Sequence, residues 1–377
     1  MKLLYVGMTE NRGGTETFIL NTIAELKRSG SKFDINVLDI TKNGIALKQQ
    51  LLDLGVNIVD LKIDWTPLKY HLERKKVFKH FFEKNHFDVI HVNSNTPSDF
   101  FLLQAAKAAI PTVKIVYHSH NTAVTKKGLK RLIFNLRYPW MRSQVNRYSD
   151  VLLSASVPAG QWMYGRNAKF EVIDNGIFTD TYRFDSSART AIREELGIDT
   201  YERVFAFIGR LAYQKYPEMI AYVLSSYREK FDNQKLPKIL VLGDGDHVDE
   251  LKSLLDEKNL YDSVNLLGVR NDIPKIMSAA DFLFLPSRYE AMPFVVVEAQ
   301  AAGLKILQST ESRNAAGEIT TGHRFVSIEE EIDVWSQQMF EMTVPTAMER
   351  IADNDKLTAS KYNMNNSVKR VVDAYES

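Results

Sequence analysis

The stretch SRYEAMPFVVVEAQAAG, Ser287 to Gly303, sets two glutamates eight residues apart on either side of an apolar run. Pro293 suits the first turn of a helix, where its missing N–H costs no bond. Glu290 is thereby read into the loop before the helix and Glu298 into the helix itself. The amides of Phe294, Val295 and Val296 sit at the positive end of that helix, where an anion is favoured. Glu298 is flanked by Val297 and AQAAG, so its carboxylate needs donors if it is buried. Two vicinal ribose hydroxyls would supply them, each bond to the charged group contributing about 1.5–3 kcal/mol. The plainer alternative is a carboxylate facing solvent.

Upstream, IGRLAYQKYPEM carries Arg210 one glycine after a strand and Lys215 five residues later. A guanidinium fork and a compact ammonium at the mouth of a sheet suit a diphosphate, although solvated surface charges have the same look. NRGGTE, Asn11 to Glu16, is a tight turn leading into a helix N-terminus, where free N–H groups meet a phosphate or simply end a loop. It is not the G-x-G-x-x-G fingerprint, and the sequence lacks a P-loop. LGDGD offers Asp244 and Asp246 in a D-x-D pattern, which reads better as a turn after a strand than as a metal site.

These residues need elements to hold them. KLLYVGM, FDINVLDI, FDVIHVN, VKIVYHSHN and DVLLSAS read as buried strands separated by helix-length segments. After FEVIDNGIFTDTYRFD the cycle restarts with RVFAFIGRL, KILVLGDGD, VNLLGV, DFLFLPS and LKILQS. The alternation predicts α/β architecture: two Rossmann-like, doubly wound parallel-sheet domains, over residues 1–180 and 181–359. The last helix, about 360–377, is amphipathic and is expected to pack back onto the first domain. Open α/β sheets bind ligands beyond the carboxyl ends of their strands. Gly13, Gly14, His118, His120, Asn175, Arg210, Gly243, Arg270 and Glu290 all fall at such ends.

The 377 residues contain no cysteine, which excludes disulfides, thiolate nucleophiles and zinc–sulfur sites and favours a reducing compartment. No signal peptide or membrane span is read, so a cytoplasmic location is expected. The net charge of +1 hides an asymmetry: the first 150 residues hold 23 Lys and Arg against 13 Asp and Glu, the remainder 25 against 34. Such a split suggests an anionic partner for the first half. TKKGLKRLIFNLRYPWMRSQVNR, Thr125 to Arg147, has seven basic residues, no acidic one and interleaved aromatics. That composition suits an anionic membrane surface, with Lys126, Lys127, Lys130 and Arg131 as contacts. Nucleic acid is disfavoured, since no recognition module accompanies the charge.

NRGGTETF, HSHN, DNGI, IGRLAYQK, LGDGD, LGVRNDI and SRYEAMPFVVVEAQAAG, in this order over roughly four-fifths of the chain, resemble the GT-B glycosyltransferases of family 4. The nearest likeness is to the bacterial branch of capsular and exopolysaccharide synthesis. The resemblance implies a GT-B fold, two domains facing a cleft, with a nucleotide-sugar donor, UDP favoured, on the second domain. The acceptor, a polyprenyl-diphosphate-linked saccharide or other glycan, goes to the first. It also implies retention of anomeric configuration and no metal or other cofactor. Glu298 would bind the ribose, Glu290 the sugar hydroxyls, Arg210 and Lys215 the diphosphate with help from Gly13 and Gly14. Val269 and Arg270 would border the base, Asn175, Gly243, Met292, Pro293, Phe294 and Val295 would complete the donor site, and His120 would stand near the reaction centre. The chain departs from the pattern at Ala291 and Tyr216, each in place of a glycine, and at Asp174, in place of a proline. Rival readings are a nucleotide-sugar epimerase of the same fold and a catalytically silent partner subunit.

Overall fold

The computed structural model describes the chain except residues 62, 64–66, 122–127, 291–292 and 314–316; over 67–72 and 128–133 it describes the backbone alone. The chain divides into two compact units, Met1–Gly176 with Met364–Ser377, and Ile177–Asn363. Among the described residues no helix is long and apolar enough to cross a membrane.

In the first unit the strands are β1 (Lys2–Val6), β2 (Asp34–Asp39), β3 (Asn57–Asp60), β4 (Val89–Ser94), β5 (Lys114–Ser119), β6 (Val151–Ser154) and β7 (Glu171–Val172). They pair in parallel in the order β3-β2-β1-β4-β5-β6-β7. The order reverses beside β1, the place where an open sheet leaves a crevice for ligands. β4 is buried along its whole length, as expected of a strand covered on both faces. The helix Met364–Glu376 belongs to this unit. Its Tyr375 hydroxyl lies 2.7 Å from the Tyr5 hydroxyl and 2.7 Å from His91 Nδ1. Ser367 Oγ donates to the Asp174 carbonyl at 2.8 Å. The DNGI turn has its glycine for this contact: a Cβ on Gly176 would stand 2.7 Å from that of Ser367.

The second unit holds β8 (Val204–Ile208), β9 (Lys238–Leu242), β10 (Val264–Gly268), β11 (Phe282–Leu285), β12 (Lys305–Ser309) and β13 (His323–Val326). Their order is β10-β9-β8-β11-β12-β13, again all parallel. Phe205, Phe207, Val241, Phe282 and Phe284 form one side of its core, Ala206, Leu240, Leu283 and Ile306 the other. The buried Arg350 guanidinium donates to the carbonyls of Met277, Ser278, Ala280 and Ala302. Burial pulls its pKa down to about 9.

Three strands escape the sequence reading: β3, β7 and β13. All are short and half-exposed, so none carries the apolar run by which the buried strands announce themselves.

Candidate active site

Within the second unit, the carboxyl ends of β8, β9 and β11 carry the charged groups. Gly209 follows β8 at φ +153°, and its missing side chain leaves room for the Lys215 stem, which a Cβ would meet at 3.0 Å. The next turn closes with Lys215 N–H donating to the Ala212 carbonyl at 2.9 Å. Lys215 Nζ thereby reaches Glu290 Oε1 at 2.5 Å, with side chains only 15% and 9% exposed. The contact is an ion pair without hydrogen-bond geometry, and Oε1 has no hydrogen bond among the described residues. Arg210 is exposed at the same strand end, and none of the described carboxylates pairs with it.

Gly243 follows β9 at φ +134°. Its N–H donates to the Gly268 carbonyl at 2.8 Å and so is closed to a ligand. A Cβ on it would stand 1.9 Å from the Gly209 carbonyl oxygen, and one on Gly245 2.1 Å from that of Leu211. These glycines let the β9 loop pack against the β8 loop that carries Arg210 and Lys215. The turn reading of the D-x-D segment agrees: Asp244 Oδ1 accepts the Gly245 N–H at 2.8 Å.

The Arg270 guanidinium is bound by Asp272, at 2.8 and 2.7 Å, and by Glu195 at 2.9 Å. Its neighbour Val269 is 76% exposed.

The helix with the second glutamate runs Phe294–Ala301. Pro293 lies just before it, at φ −73° and ψ 123°, as the N-cap residue rather than in the first turn. The Phe294 and Val295 amides follow at the free end; Val296 N–H already donates to the Pro293 carbonyl. Glu298 is half-buried and accepts from the Tyr182 hydroxyl at 2.8 Å. The sequence reading missed Tyr182, and with 116 residues between the partners no local signal could have found it. Gln300, fully buried, fixes the following loop by accepting from Ile319 and Thr320 N–H at 2.9 and 3.0 Å. Glu311 accepts from Ser327 Oγ at 2.6 Å, a structural bond. Met292 lies outside the described residues.

His247 pairs with the buried Glu218 and lies 3.3 Å from Glu250. Both glutamates lie at the N-terminal ends of helices, where carboxylates are favoured. The hydrogen bond to Glu218 raises the imidazole pKa. With the folded pKa above the unfolded one, the pair stabilises the fold fully below about pH 6.5 and loses that effect as pH rises through the folded pKa. His247→Gln should therefore lower the melting temperature more at pH 6 than at pH 9, measured by thermal denaturation across that range.

In the first unit, His120 follows β5, and its Nε2 lies 2.8 Å from Asn93 Oδ1. It stacks on His118 at 4.2 Å, which stacks on His91 at 5.5 Å. Burial pushes the His120 pKa down to about 3, so the ring is neutral over the physiological range. His118 is fully buried, and neither ring nitrogen has a hydrogen-bond partner among the described residues, as suits a ring packed beneath His120. Gly13 caps the helix Gly14–Arg28 in extended conformation. Asn175 is buried, its Oδ1 without a hydrogen-bond partner among the described residues. A cavity of about 530 Å³ opens beside β1 and β4, lined by Met8, Ile40, Phe78 and Phe101 and by the polar Asn93 and Asp99. Ser94 Oγ donates to Asp99 at 2.6 Å, and burial raises the pKa of that carboxyl. Lys126 and Lys127 lie outside the described residues, as do the side chains of Lys130 and Arg131.

Two family models match this chain: residues 13–176 match a glycosyl transferase 4-like domain, and residues 188–339 match glycosyl transferases group 1. The Bacillus subtilis protein assigned as glycosyltransferase EpsF is 24% identical over 99% of this chain and 96% of its own length. An Escherichia coli protein, UDP-Gal:alpha-D-GlcNAc-diphosphoundecaprenol alpha-1,3-galactosyltransferase, is 28% identical over 62% of this chain and 60% of its own. Among solved structures, Anabaena HepE in complex with UDP superposes with a TM-score of 0.78 at 20% identity, over 100% of both chains; the same protein is also solved with UDP-glucose. With family models over both parallel-sheet units and a GT-B neighbour of full length, this chain belongs to the GT-B glycosyltransferases of family 4.

Proposed function

We propose that the protein is a retaining, metal-independent hexosyltransferase that moves a sugar from a UDP-sugar to a lipid-linked or other saccharide acceptor in cell-surface polysaccharide assembly. The observation that carries this reading is the buried Lys215–Glu290 pair beside the exposed Arg210. Two cations after β8 and one carboxylate on the loop after β11 suit a diphosphate next to a polyol. Glu298, on the helix that follows, suits the ribose. UDP is favoured as nucleotide because HepE binds it, and a lipid-diphosphate acceptor because the Escherichia coli relative takes one.

In the proposed step the bond from the anomeric carbon to the diphosphate oxygen breaks. The acceptor oxygen bonds to that carbon on the same face, and its proton passes to the departing phosphate oxygen. The protein's task is to stabilise the charge that develops on the diphosphate, through Arg210, Lys215 and the Phe294 and Val295 amides. Glu290 and Glu298 are not a nucleophile pair, since sugar hydroxyls and ribose occupy them. The first unit's cavity, lined by both apolar and polar side chains, suits an acceptor saccharide. The proposal includes docking at a membrane surface. Leu136 and Trp140, one helical turn apart on Gly128–Tyr148, are 74% and 50% exposed, and the same stretch of sequence supplies the basic residues Lys126, Lys127, Lys130 and Arg131.

A thermal-shift screen against a panel of sugar nucleotides, followed by labelled-sugar transfer with membrane extract, tests the reading. Stabilisation by UDP-sugars and transfer to extract lipid are expected. Sugar-nucleotide conversion without acceptor would replace the reading with an epimerase, and binding without any turnover with a silent subunit.

A further inference from the structure

The loops that carry Lys215 and Glu290 come from different strands and lie 75 residues apart in sequence. Their contact is held by a small set of bonds that the expected donor-binding residues do not include. Arg288 N–H donates to the Gln214 carbonyl at 2.8 Å, and Gln214 Nε2 donates to the Tyr289 carbonyl at 3.0 Å. The Arg288 guanidinium lies over the Tyr216 ring, 3.6 Å from its centroid, and 4.5 Å from that of Tyr213. A planar cation against an aromatic face is both an attractive and an orienting contact. Tyr216 adopts φ +53°, a conformation that side chains other than glycine, asparagine and aspartate seldom take. The local backbone alone gives no reason to prefer tyrosine there, whereas the ring that Arg288 stacks on does. Below the loop, Ser309 Oγ donates to the Ser287 carbonyl at 2.5 Å and pins the segment's base.

We propose that Arg288, stacked on Tyr216 and Tyr213, is a positioning residue that locks the Lys215 loop to the Glu290 loop and so sets the geometry of the ion pair. The proposal deepens the function proposed above and rests on it for its kinetic consequence, although the geometric consequence stands without it. In this proposal Arg288 acts through Lys215 and Glu290.

Two measurements test this. In a crystal structure of Arg288→Ala, the Lys215 Nζ to Glu290 Oε1 separation is expected to exceed the ion-pair limit of about 4 Å; retention of the pair would overturn the proposal whatever the enzyme does. In sugar transfer, Arg288→Ala is expected to lower kcat roughly 10–100-fold, the scale of a misplaced catalytic group. In the Lys215→Ala background the same substitution should cost less than about 2-fold, because groups that act as one unit are non-additive. An equal loss in both backgrounds, or no loss in the wild type, overturns positioning through Lys215. If Arg288→Ala does not fold, Tyr216 carries the test: Tyr216→Phe keeps the stacking face and should retain kcat, Tyr216→Leu should lose it, and equal kcat in the two would overturn the proposal. A wild-type protein that neither binds nor turns over sugar nucleotides would refute the functional reading and leave the crystallographic outcome to decide the clamp.

Discussion

Lys215→Ala is expected to cut turnover at saturating donor about 100–1000-fold, the usual cost of removing one preorganised group that stabilises developing charge. Nζ faces Glu290 Oε1 at 2.5 Å, and the two side chains are only 15% and 9% exposed. In the proposed role the diphosphate meets an ammonium already largely desolvated, so little reorganisation remains at the moment of reaction. The substitution has a second effect. It leaves the Glu290 carboxylate buried without its counter-charge, and Oε1 has no hydrogen bond to fall back on. Stability should therefore fall as well, since an unpaired buried charge is costly. The double variant Lys215→Ala with Glu290→Gln separates the two effects. Its melting temperature should recover toward the wild type while turnover stays low. Turnover near normal in Lys215→Ala would remove the residue from the role.

Glu298→Gln should weaken UDP binding by about 10–100-fold, the loss of about one hydrogen bond to a charged acceptor. The control is inorganic pyrophosphate, which has no ribose: its affinity should be unchanged. Isothermal titration of both ligands against both proteins reads the difference directly. Equal weakening of UDP and pyrophosphate would show that Glu298 supports the helix end rather than the ribose. The Tyr182 hydroxyl, at 2.8 Å from Oε1, already orients the carboxylate. Tyr182→Phe should therefore have the smaller effect, acting on orientation alone.

The strands at the sheet centres were legible because burial on both faces demands unbroken apolar runs, and those runs survive in KLLYV, VFAFI and FLFL. The glutamate pair was legible because a proline before an apolar helix marks its start. The roles of the glycines were less so. The Gly243 N–H is bonded to the Gly268 carbonyl, and its bareness makes room for the neighbouring loop, neither of which its place after a strand announces. Two carboxylates hold Arg270, one of them 75 residues away in sequence.

The chemical groups and the strand ends that bear them can be read along the chain, because strand periodicity and helix-start signals are local. Which groups meet is a matter of folding. Lys215 finds Glu290, Tyr182 finds Glu298 and Tyr375 finds His91. Each pairing spans tens to hundreds of residues and is set by strand order and loop packing. A hydrogen bond or ion pair acts only at a few ångströms, and that distance is a property of the packed fold rather than of spacing along the chain.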